Sequence, residues 1–542
     1  MRGLMMDYQL TVAAILRRVE SLFAHKPIIT RLPDRSIHRY TYRDFAKRVK
    51  RLSVALQRLG VGEGDRVATL CWNHYQHLEV YYAAPCMGAV MHSLNLRLNP
   101  ADLSYIVNHA EDKVIIVDQV LLPLFEQFRD KIKVASIIVI RQCEEPLPAG
   151  YLDYEDVIAK GDAAQFRPFE GDENSAAFLS YTSGTTGKPK GVLYSHRSIV
   201  LHAMGSLISC AGFGITERDV VLPIVPMFHA SAWGLPFNCA LAGAALVLPG
   251  PYLDAESLLQ LFENEKVTIT AGVPTVMLSI LSRLEAEPQK YKLFLRTIVI
   301  GGSAAPRSMV KTFDERYGIQ LLHSWGMTEI SPLGSTATPT SRLSAASKEV
   351  QYDYSMKQGL PVPLVEIRGR NESGLIPWNG VTMGELEVRG PWVASAYYRD
   401  EGPSAKFTSD GWLKTGDIVT ITEEGCIEIK DRSKDVIKSG GEWISSIALE
   451  NALMGHPSIL EAAVIAIPDS RWIERPFAYV VPKEGKTVSV EELCTFLVNK
   501  FPKFWLPDGY AVVTAIPKTS VGKFLKSALR EAYAREHPGD GV

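Results

Sequence analysis

Short apolar runs alternate with helical segments along most of this chain, and that alternation is the feature that most restricts its fold. KVIIVD (residues 113–118), SIIVI (136–140) and TIVIGG (297–302) are nearly continuous apolar runs. Strands of a parallel sheet have this composition because helices cover both of its faces. Before these runs, Thr41 with Asp44 three residues later has the pattern of a helix capping box. The sequence therefore predicts an α/β fold of helix-covered sheets.

The length of the chain predicts an α/β multidomain protein. At 542 residues it exceeds the roughly 250–300 residues at which a single hydrophobic core stops growing. After residue 360 the pattern changes to strands joined by turns, as in GELEVRG (384–390), which predicts a β-rich unit. A charged segment ending in two glycines then indicates a hinge or linker. We predict a large N-terminal domain over 1–433, with a β-rich subdomain over about 355–433, and a small α+β C-terminal domain over 434–542.

Charge and cysteine content argue against several classes of protein. Lys and Arg number 58 against 60 Asp and Glu, so the chain has no general attraction for nucleic acid or an anionic membrane. The seven cysteines are scattered without a C-x-x-C pair, which argues against a disulfide framework or a zinc site. We predict a cytoplasmic protein with reduced thiols and no nucleic-acid partner.

Two apolar segments resemble export or membrane signals only superficially. In the first 25 residues, Asp7 precedes the apolar run and Arg17 and Arg18 interrupt it, which favours an amphipathic helix over a signal peptide. Residues 220–253 contain no Asp, Glu, Lys or Arg, but their five prolines would interrupt a spanning helix. We therefore predict no integral membrane segment and interpret 220–253 as the buried wall of a pocket.

Residues 181–192, YTSGTTGKPKGV, have the composition of a phosphate-binding loop. Glycines let backbone N–H groups approach an anion closely, hydroxyls add donors, and lysines add positive charge. The loop is not a Walker A motif, which requires Ser or Thr directly after its lysine, because Pro189 follows Lys188. A plain glycine-serine surface turn is the alternative. The predicted phosphate-binding residues are Thr182, Ser183, Gly184, Thr185, Thr186, Gly187 and Lys190.

This loop resembles the phosphate loop of the AMP-forming adenylating superfamily, which comprises acyl-CoA synthetases, luciferases and the adenylation domains of peptide synthetases. Four further motifs resemble those of the family and occur in the family's order, so the resemblance spans nearly the whole chain. It implies ATP-dependent activation of a carboxylic acid as acyl-AMP, with release of pyrophosphate and with Mg²⁺ bound. The four motifs are HSWGMTE (323–329), WLKTGD (412–417), KDRSKDVIKSGGEWIS (430–445) and PKTSVGK (517–523).

The resemblance implies nucleotide contacts for residues in these motifs. Trp325, where the family more often has Tyr, would stack on or beside adenine, and Thr328 would reach the α-phosphate. Glu329 would coordinate Mg²⁺. Asp417 and Arg432 would contact the ribose, since an ionised carboxylate can accept hydrogen bonds from two hydroxyls. The remaining implied nucleotide-binding residues are Gly302, Ser303, Ala304, Ser324 and Gly326, and Ser183 is a second Mg²⁺ candidate.

The C-terminal motifs resemble those that serve the two steps of the family's reaction. The family places the lysine equivalent to Lys523 between the carboxylate and the α-phosphate, where a cation offsets developing charge. Lys526 stands where arginine is common, so a bidentate role is not carried over to it. For the second step, the small domain would rotate about Lys434 and form a channel for coenzyme A. The implied CoA-binding residues are Lys438, Gly440, Gly441, Glu442 and Trp443.

The segment VPMFHASAWG (225–234) resembles the family's acyl-pocket wall. His229 would lie near the pyrophosphate and the carboxylate as a catalytic residue, although a lone His in an apolar run is otherwise a core residue. Trp233 and Gly234 would line the acyl pocket. An uncharged wall favours an apolar acyl group over an amino acid, whose ammonium would need a buried carboxylate. The closest resemblance is to medium- and long-chain fatty-acid ligases and 3-methylmercaptopropionate ligases, which also implies a homodimer.

Two alternatives stay open from the sequence. A stand-alone adenylating enzyme that loads a carrier protein, or a luciferase, would share the first step. A non-catalytic nucleotide-binding relative would share the fold. The combination of Lys523, Glu329 and Asp417 argues against the second alternative, because a binding protein has no need for the lysine.

Overall fold

Two large helix-covered sheets and two smaller sheets make up the fold, in a computed structural model of the chain. The structure describes residues 1, 3–182, 188–209, 214–303, 305–400, 404–440, 442–518 and 524–538. Among these residues the large sheets have nine and seven strands and the smaller sheets have five each. The predicted α/β multidomain class is confirmed.

The nine-stranded sheet is parallel through its centre and antiparallel at both edges. Its central strands are almost entirely buried, as their apolar composition predicts. In order across the sheet the strands are Leu360–Pro361, Leu333–Thr336, Gln320–Gly326, Thr297–Ile300, Ile269–Gly272, Val220–Pro223, Ala245–Leu248, Pro27–Arg31 and Ile37–Thr41.

The seven-stranded sheet is parallel except at one edge, where Ala176–Tyr181 pairs antiparallel with Gly191–Ser195. The register pairs Tyr181 with Gly191, so the predicted phosphate loop connects the two strands of a hairpin. In order across the sheet the strands are Leu152–Asp153, Ser136–Ile140, Asp112–Asp118, Arg66–Leu70, Val90–Ser93, Ala176–Tyr181 and Gly191–Ser195.

The third sheet is the β-rich unit expected after residue 360, and all its strand pairs are antiparallel. Its register places Asp417 directly opposite Arg432. In order across the sheet the strands are Gly374–Leu375, Glu366–Asn371, Gly384–Arg389, Leu413–Ile421 and Ile427–Arg432.

The fourth sheet has its own hydrophobic clusters, built from strands and helices after residue 436. The third sheet ends at Arg432 and the fourth begins at Ile437. The predicted domain boundary at 433/434 falls between them and stays a prediction. In order the strands are Glu442–Ile444, Ile437–Ser439, Ile473–Pro482 and Ile459–Asp469, and Gly509–Val512 also pairs with Ile473–Pro482.

Helices cover the sheets, and their boundaries follow local sequence signals. The helix Tyr42–Arg58 begins with the predicted capping box of Thr41 and Asp44. The α-helices are Val12–Leu22, Tyr42–Arg58, Tyr75–Cys86, Pro100–Ala110, Leu122–Phe125, Tyr154–Ala159, His196–Ile208, Leu235–Ala242, Ala255–Asn264, Pro274–Ala286, Arg307–Tyr317, Ser341–Ser344, Lys348–Ser355, Ser446–Met454, Val490–Val498 and Lys526–Glu536. The 3₁₀ turns are Gln119–Leu121, Arg129–Lys131, Ala163–Gln165, Thr328–Ile330 and Lys503–Trp505, and Ala230–Gly234 is a turn with positive φ.

The two apolar segments that resemble membrane signals are packed into the N-terminal part of the fold. The helix Val12–Leu22 buries Val12, Ile15 and Val19 in the main hydrophobic core. Residues 220–253 form two strands of the nine-stranded sheet and the buried helix between them. Among the described residues, every helix is too short or too polar to span a bilayer.

Candidate active site

Hydrogen bonds close the base of the predicted phosphate loop. The backbone N–H of Thr182 donates to the carbonyl of Lys190 over 2.9 Å, and the N–H of Lys190 donates to the Thr182 hydroxyl over 3.2 Å. The Lys190 ammonium lies 2.8 Å from the Asp400 carboxylate. The rest of the predicted phosphate-binding set, Ser183 to Gly187, lies outside the described residues. The two ends of the loop are therefore fixed at the tip of a buried strand.

Glu329 lies in the 3₁₀ turn after the strand Gln320–Gly326, and its side chain is buried. One of its carboxylate oxygens accepts a hydrogen bond of 2.7 Å from the Tyr397 hydroxyl. Burial and the neighbouring Glu329 raise the pKa of Tyr397, which keeps the phenol protonated as a donor. The backbone carbonyl of Thr328 accepts a 2.7 Å hydrogen bond from Tyr194. A single carboxylate held in this way fits Mg²⁺, which uses one or two protein carboxylates together with phosphate and water oxygens.

The carboxylate of Asp417 is held by two side chains and is 2% exposed. The indole N–H of Trp325 donates to one oxygen over 2.8 Å, and the Arg432 Nε lies 2.9 Å from the other. A side chain on Gly334 would come within 2.4 Å of the Trp325 ring, so the glycine permits this packing. The hydrogen bond from Trp325 is a role that the sequence did not predict, and adenine stacking by this ring stays a prediction.

Trp233, a predicted acyl-pocket residue, lies beside Gly301, which precedes the predicted nucleotide-binding residue Gly302. A side chain on Gly301 would come within 3.1 Å of the Trp233 ring and 2.9 Å of the Ser324 carbonyl. Residues 230–233, none of them glycine, all have positive φ, between 44° and 56°. Left-handed backbone costs about 1–2 kcal/mol per residue with a side chain, and such strain concentrates at functional sites. His229 begins this turn and Gly234 ends it.

The remaining predicted nucleotide-binding residues lie around the ends of the central strands. Ser324 is buried, and its hydroxyl donates to Thr336 over 3.2 Å. Gly326 ends the strand Gln320–Gly326, so it lies between Trp325 and the turn that carries Glu329. Gly302 and Ser303 are exposed after the strand Thr297–Ile300. Ala304 lies outside the described residues.

The predicted CoA-binding residues that the structure describes lie on two neighbouring strands of the fourth sheet or directly after the first of them. Lys438 and Trp443 face each other across the strands Ile437–Ser439 and Glu442–Ile444. The backbone N–H of Lys438 donates to Glu474 over 2.7 Å. Gly440 has a φ of +60°, and a side chain there would come within 2.6 Å of the Trp472 ring. Glu442 begins the second strand, and Gly441 lies outside the described residues.

Lys434, the predicted hinge residue, lies in the short segment between the third and fourth sheets. Its carbonyl accepts a 3.2 Å hydrogen bond from Arg530, and partial burial lowers the pKa of its ammonium. Lys523 lies outside the described residues. Its catalytic role, like the hinge role of Lys434, stays a prediction.

A second cluster of polar side chains lies in the core of the N-terminal part. Cys71, His74 and Asp118 are buried with their side-chain heteroatoms within 4.8 Å of one another. His74 Nδ1 accepts a hydrogen bond from the His77 backbone, so its Nε2 carries the proton directed at Asp118, 2.7 Å away. The other oxygen of Asp118 accepts from the Trp72 backbone. His74 therefore caps the helix Tyr75–Cys86, and Asp118 holds its imidazole in place. In this arrangement neither ring nitrogen of His74 has a lone pair left for a metal ion.

Two family models match the chain. The model for AMP-binding enzymes matches residues 18–398, and the model for the AMP-binding enzyme C-terminal domain matches residues 448–523. The first match alone covers more than half of the chain. The chain belongs to the AMP-binding enzyme family.

Several proteins that are similar to this AMP-binding enzyme over nearly its full length are CoA ligases. A long-chain-fatty-acid–CoA ligase from Thermus thermophilus is 48% identical, with 99% of this chain and 98% of that ligase covered. A 3-methylmercaptopropionyl-CoA ligase from Ruegeria pomeroyi is 41% identical, with 98% and 99% covered. Among solved structures, an anthranilate CoA ligase in complex with anthranoyl-AMP superposes with a TM-score of 0.87 at 26% identity, over 98% of this chain and 99% of that one. The predicted adenylate-forming acyl-CoA synthetase is confirmed.

Replacing Trp325 tests whether its indole orients the carboxylate of Asp417, the predicted ribose contact of this AMP-binding enzyme. Trp325→Phe keeps an aromatic ring but removes the donor to Asp417, and a hydrogen bond to a charged group contributes about 1.5–3 kcal/mol. We expect the KM for ATP to rise about tenfold, equivalent to ~1.4 kcal/mol, and the preference for ATP over 2′-deoxyATP to shrink. Steady-state kinetics with both nucleotides measures the two effects.

The matched control for Trp325→Phe is Trp392→Phe. Trp392 is also buried, and its indole donates to the Leu333 carbonyl over 3.0 Å. The control should leave the preference for ATP over 2′-deoxyATP unchanged. An unchanged preference in Trp325→Phe as well would show that the indole does not orient Asp417.

Proposed function

We propose that this protein is an ATP-dependent acid–thiol ligase that converts a fatty acid or 3-methylmercaptopropionate to its CoA thioester through acyl-AMP. The observation that carries the proposal is the buried Asp417 carboxylate, held by Trp325 and Arg432. It lies in a chain that is 48% identical to a fatty-acid–CoA ligase over nearly its full length. A buried carboxylate oriented in this way is suited to ribose hydroxyls.

In the first step, a carboxylate oxygen of the acid attacks the α-phosphorus of ATP, the bond between α-phosphorus and bridging oxygen breaks, and pyrophosphate leaves. The chain contributes position and charge, because both reactants are anions. Asp417 and Arg432 hold the ribose, Thr328 approaches the α-phosphate, and the hairpin loop with Lys190 holds the β- and γ-phosphates. We assign His229 and Lys523 to the reacting carboxylate. Glu329, with Ser183 as a second candidate, would hold Mg²⁺, which would supply positive charge to the phosphates.

In the second step, the thiol sulfur of CoA attacks the acyl carbon, the bond to the phosphate oxygen breaks, and AMP leaves with the electron pair while the thiol loses its proton. We assign CoA binding to the strands that carry Lys438, Gly440 and Trp443, after rotation of the small domain about Lys434. A rotation of this kind lets one cleft perform two successive steps.

The proposal for the acid depends on the uncharged wall at residues 220–253, most of which is buried. An apolar wall favours an apolar acyl chain, and an amino acid would leave its ammonium unpaired. Each buried methylene of the acyl chain contributes only about 0.8 kcal/mol to binding, so the preferred acyl-chain length has to be measured. We also propose that the protein is a cytoplasmic homodimer. Light scattering of the purified protein measures its mass in solution and so tests whether it is a dimer.

A panel of acids tests the reaction and the substrate together. With ATP, Mg²⁺ and CoA, we expect AMP and pyrophosphate to form in proportion to acyl-CoA, with the highest kcat/KM on a fatty acid or on 3-methylmercaptopropionate. Coupled AMP assays and mass spectrometry of the thioesters make the measurement. Formation of ADP and orthophosphate would contradict the proposal, and transfer to a phosphopantetheinyl carrier protein but not to CoA would favour the carrier-loading alternative.

Lys523→Ala separates the two steps. Loss of its ammonium removes the charge that offsets the two approaching anions, so we expect pyrophosphate release to fall by at least about a hundredfold, or ~2.7 kcal/mol. Conversion of pre-made acyl-AMP to acyl-CoA should continue near the wild-type rate. Equal loss in both assays would contradict the assignment of Lys523 to the first step.

Trp443→Ala tests the assignment of CoA binding in the second step. Because Trp443 belongs to the strand assigned to CoA, its loss should reduce conversion of acyl-AMP to acyl-CoA by about tenfold, or ~1.4 kcal/mol. Pyrophosphate release in the absence of CoA should change little. A comparable fall in pyrophosphate release would show that Trp443 acts in adenylation or in folding.

A further inference from the structure

Tyr397 lies between two charged groups of the candidate nucleotide site, the Glu329 carboxylate and the Lys190 ammonium. Its hydroxyl donates to the Glu329 carboxylate over 2.7 Å. The Lys190 ammonium lies 4.8 Å from the centroid of the same phenol ring. The Tyr397 side chain is 7% exposed, so its hydroxyl meets Glu329 away from water, whereas the Lys190 side chain is 50% exposed. Tyr397 belongs to no motif that the sequence indicated.

We propose that Tyr397 is a positioning residue that holds the Glu329 carboxylate and the Lys190 ammonium at a fixed separation, so that both act on one triphosphate. This inference rests on the proposed function and extends it. The hydroxyl occupies one carboxylate oxygen and leaves the other oxygen for a cation. The ring face attracts the ammonium without neutralising it, since cation–π attraction leaves the charge in place.

The backbone around Tyr397 is attached to both parts of the site. The N–H of Ala394 donates to the Glu329 carbonyl over 2.8 Å, and the N–H of Tyr398 donates to the Gly191 carbonyl over 2.8 Å. Residues 394–398 therefore connect the turn that carries Glu329 to the strand that leaves the phosphate loop. These backbone bonds set the position of the phenol.

Asp400 completes the arrangement around the lysine. Its carboxylate lies 2.8 Å from the Lys190 ammonium, and both side chains are partly exposed. An exposed ion pair of this kind contributes little, about 0–1 kcal/mol, so phosphate oxygens can replace Asp400 at low cost. The contact with the Tyr397 ring leaves donors for phosphate, because an ammonium carries three N–H groups. We infer that the ring keeps Lys190 in place while its anionic partner is exchanged.

Binding measurements with Mn²⁺ and a non-hydrolysable ATP analogue test the proposal without turnover. Tyr397→Phe keeps the ring and removes the hydroxyl. It should weaken Mn²⁺ binding to the protein–analogue complex about tenfold, measured by electron paramagnetic resonance, and leave metal-free binding of the analogue within about twofold. Tyr397→Leu removes the ring as well and should also weaken metal-free analogue binding about fivefold.

Two further variants distinguish positioning from a general loss of stability. Tyr352→Phe is the matched control, since the hydroxyl of the buried Tyr352 donates to the Asp314 carboxylate over 2.8 Å at another place in the fold. It should leave Mn²⁺ binding unchanged. In a Glu329→Gln background, Tyr397→Phe should weaken Mn²⁺ binding by less than about a further twofold, because the effects of contacting residues that act as a unit are not additive.

The proposal is overturned if Tyr397→Phe weakens Mn²⁺ binding no more than Tyr352→Phe does, or if its full effect persists in the Glu329→Gln background. Neither result depends on catalysis. Should wild-type protein bind the Mn²⁺–analogue complex in the expected way yet form no AMP with any acid, the proposed function would fail while the role of Tyr397 stood.

Discussion

The buried carboxylate of Asp417 is the interaction on which the candidate site depends. Trp325 comes from the nine-stranded sheet, whereas Asp417 and Arg432 face each other on the third sheet. An ionised group at this depth is costly unless it is paired and hydrogen-bonded. The pairing therefore joins the β-rich unit to the large α/β part at one defined place. Glu329 follows Trp325 by four residues, so the same strand end fixes the predicted ribose and metal groups relative to each other.

The contact with the small domain begins one residue from this pairing. Asp431, next to Arg432, accepts a 2.6 Å hydrogen bond from the backbone N–H of Ser446 at the start of a helix in the small domain. The buried ammonium of Lys526 lies 2.6 Å from Glu450 on the same helix. A rotation about Lys434 would have to break the bond between Asp431 and Ser446, since the two residues lie on opposite sides of that hinge. The predicted ribose contact therefore lies next to a hydrogen bond that would change if the domain rotated about the predicted hinge.

Much of the fold and the site could be predicted from local patterns. The capping box at Thr41 and Asp44, the buried parallel strands and the β-rich unit after residue 360 are each local signals, and the structure has all three. Tyr397 and Asp400 escaped prediction because their partners, Glu329 and Lys190, are 68 and 210 residues away in sequence. The left-handed turn at residues 230–233 also escaped, since alanine and tryptophan carry no signal for positive φ.

The sequence by itself determined the family and the residue types available for chemistry, because motif order and hydrophobic period are properties of neighbouring residues. Only the tertiary structure decided how those residues support one another. The indole of Trp325 donates to Asp417 92 residues away, and the phenol of Tyr397 lies between a carboxylate and an ammonium from two different sheets. Hydrogen bonds and burial act over a few ångströms regardless of sequence separation, so the register and packing of the sheets alone fix these contacts.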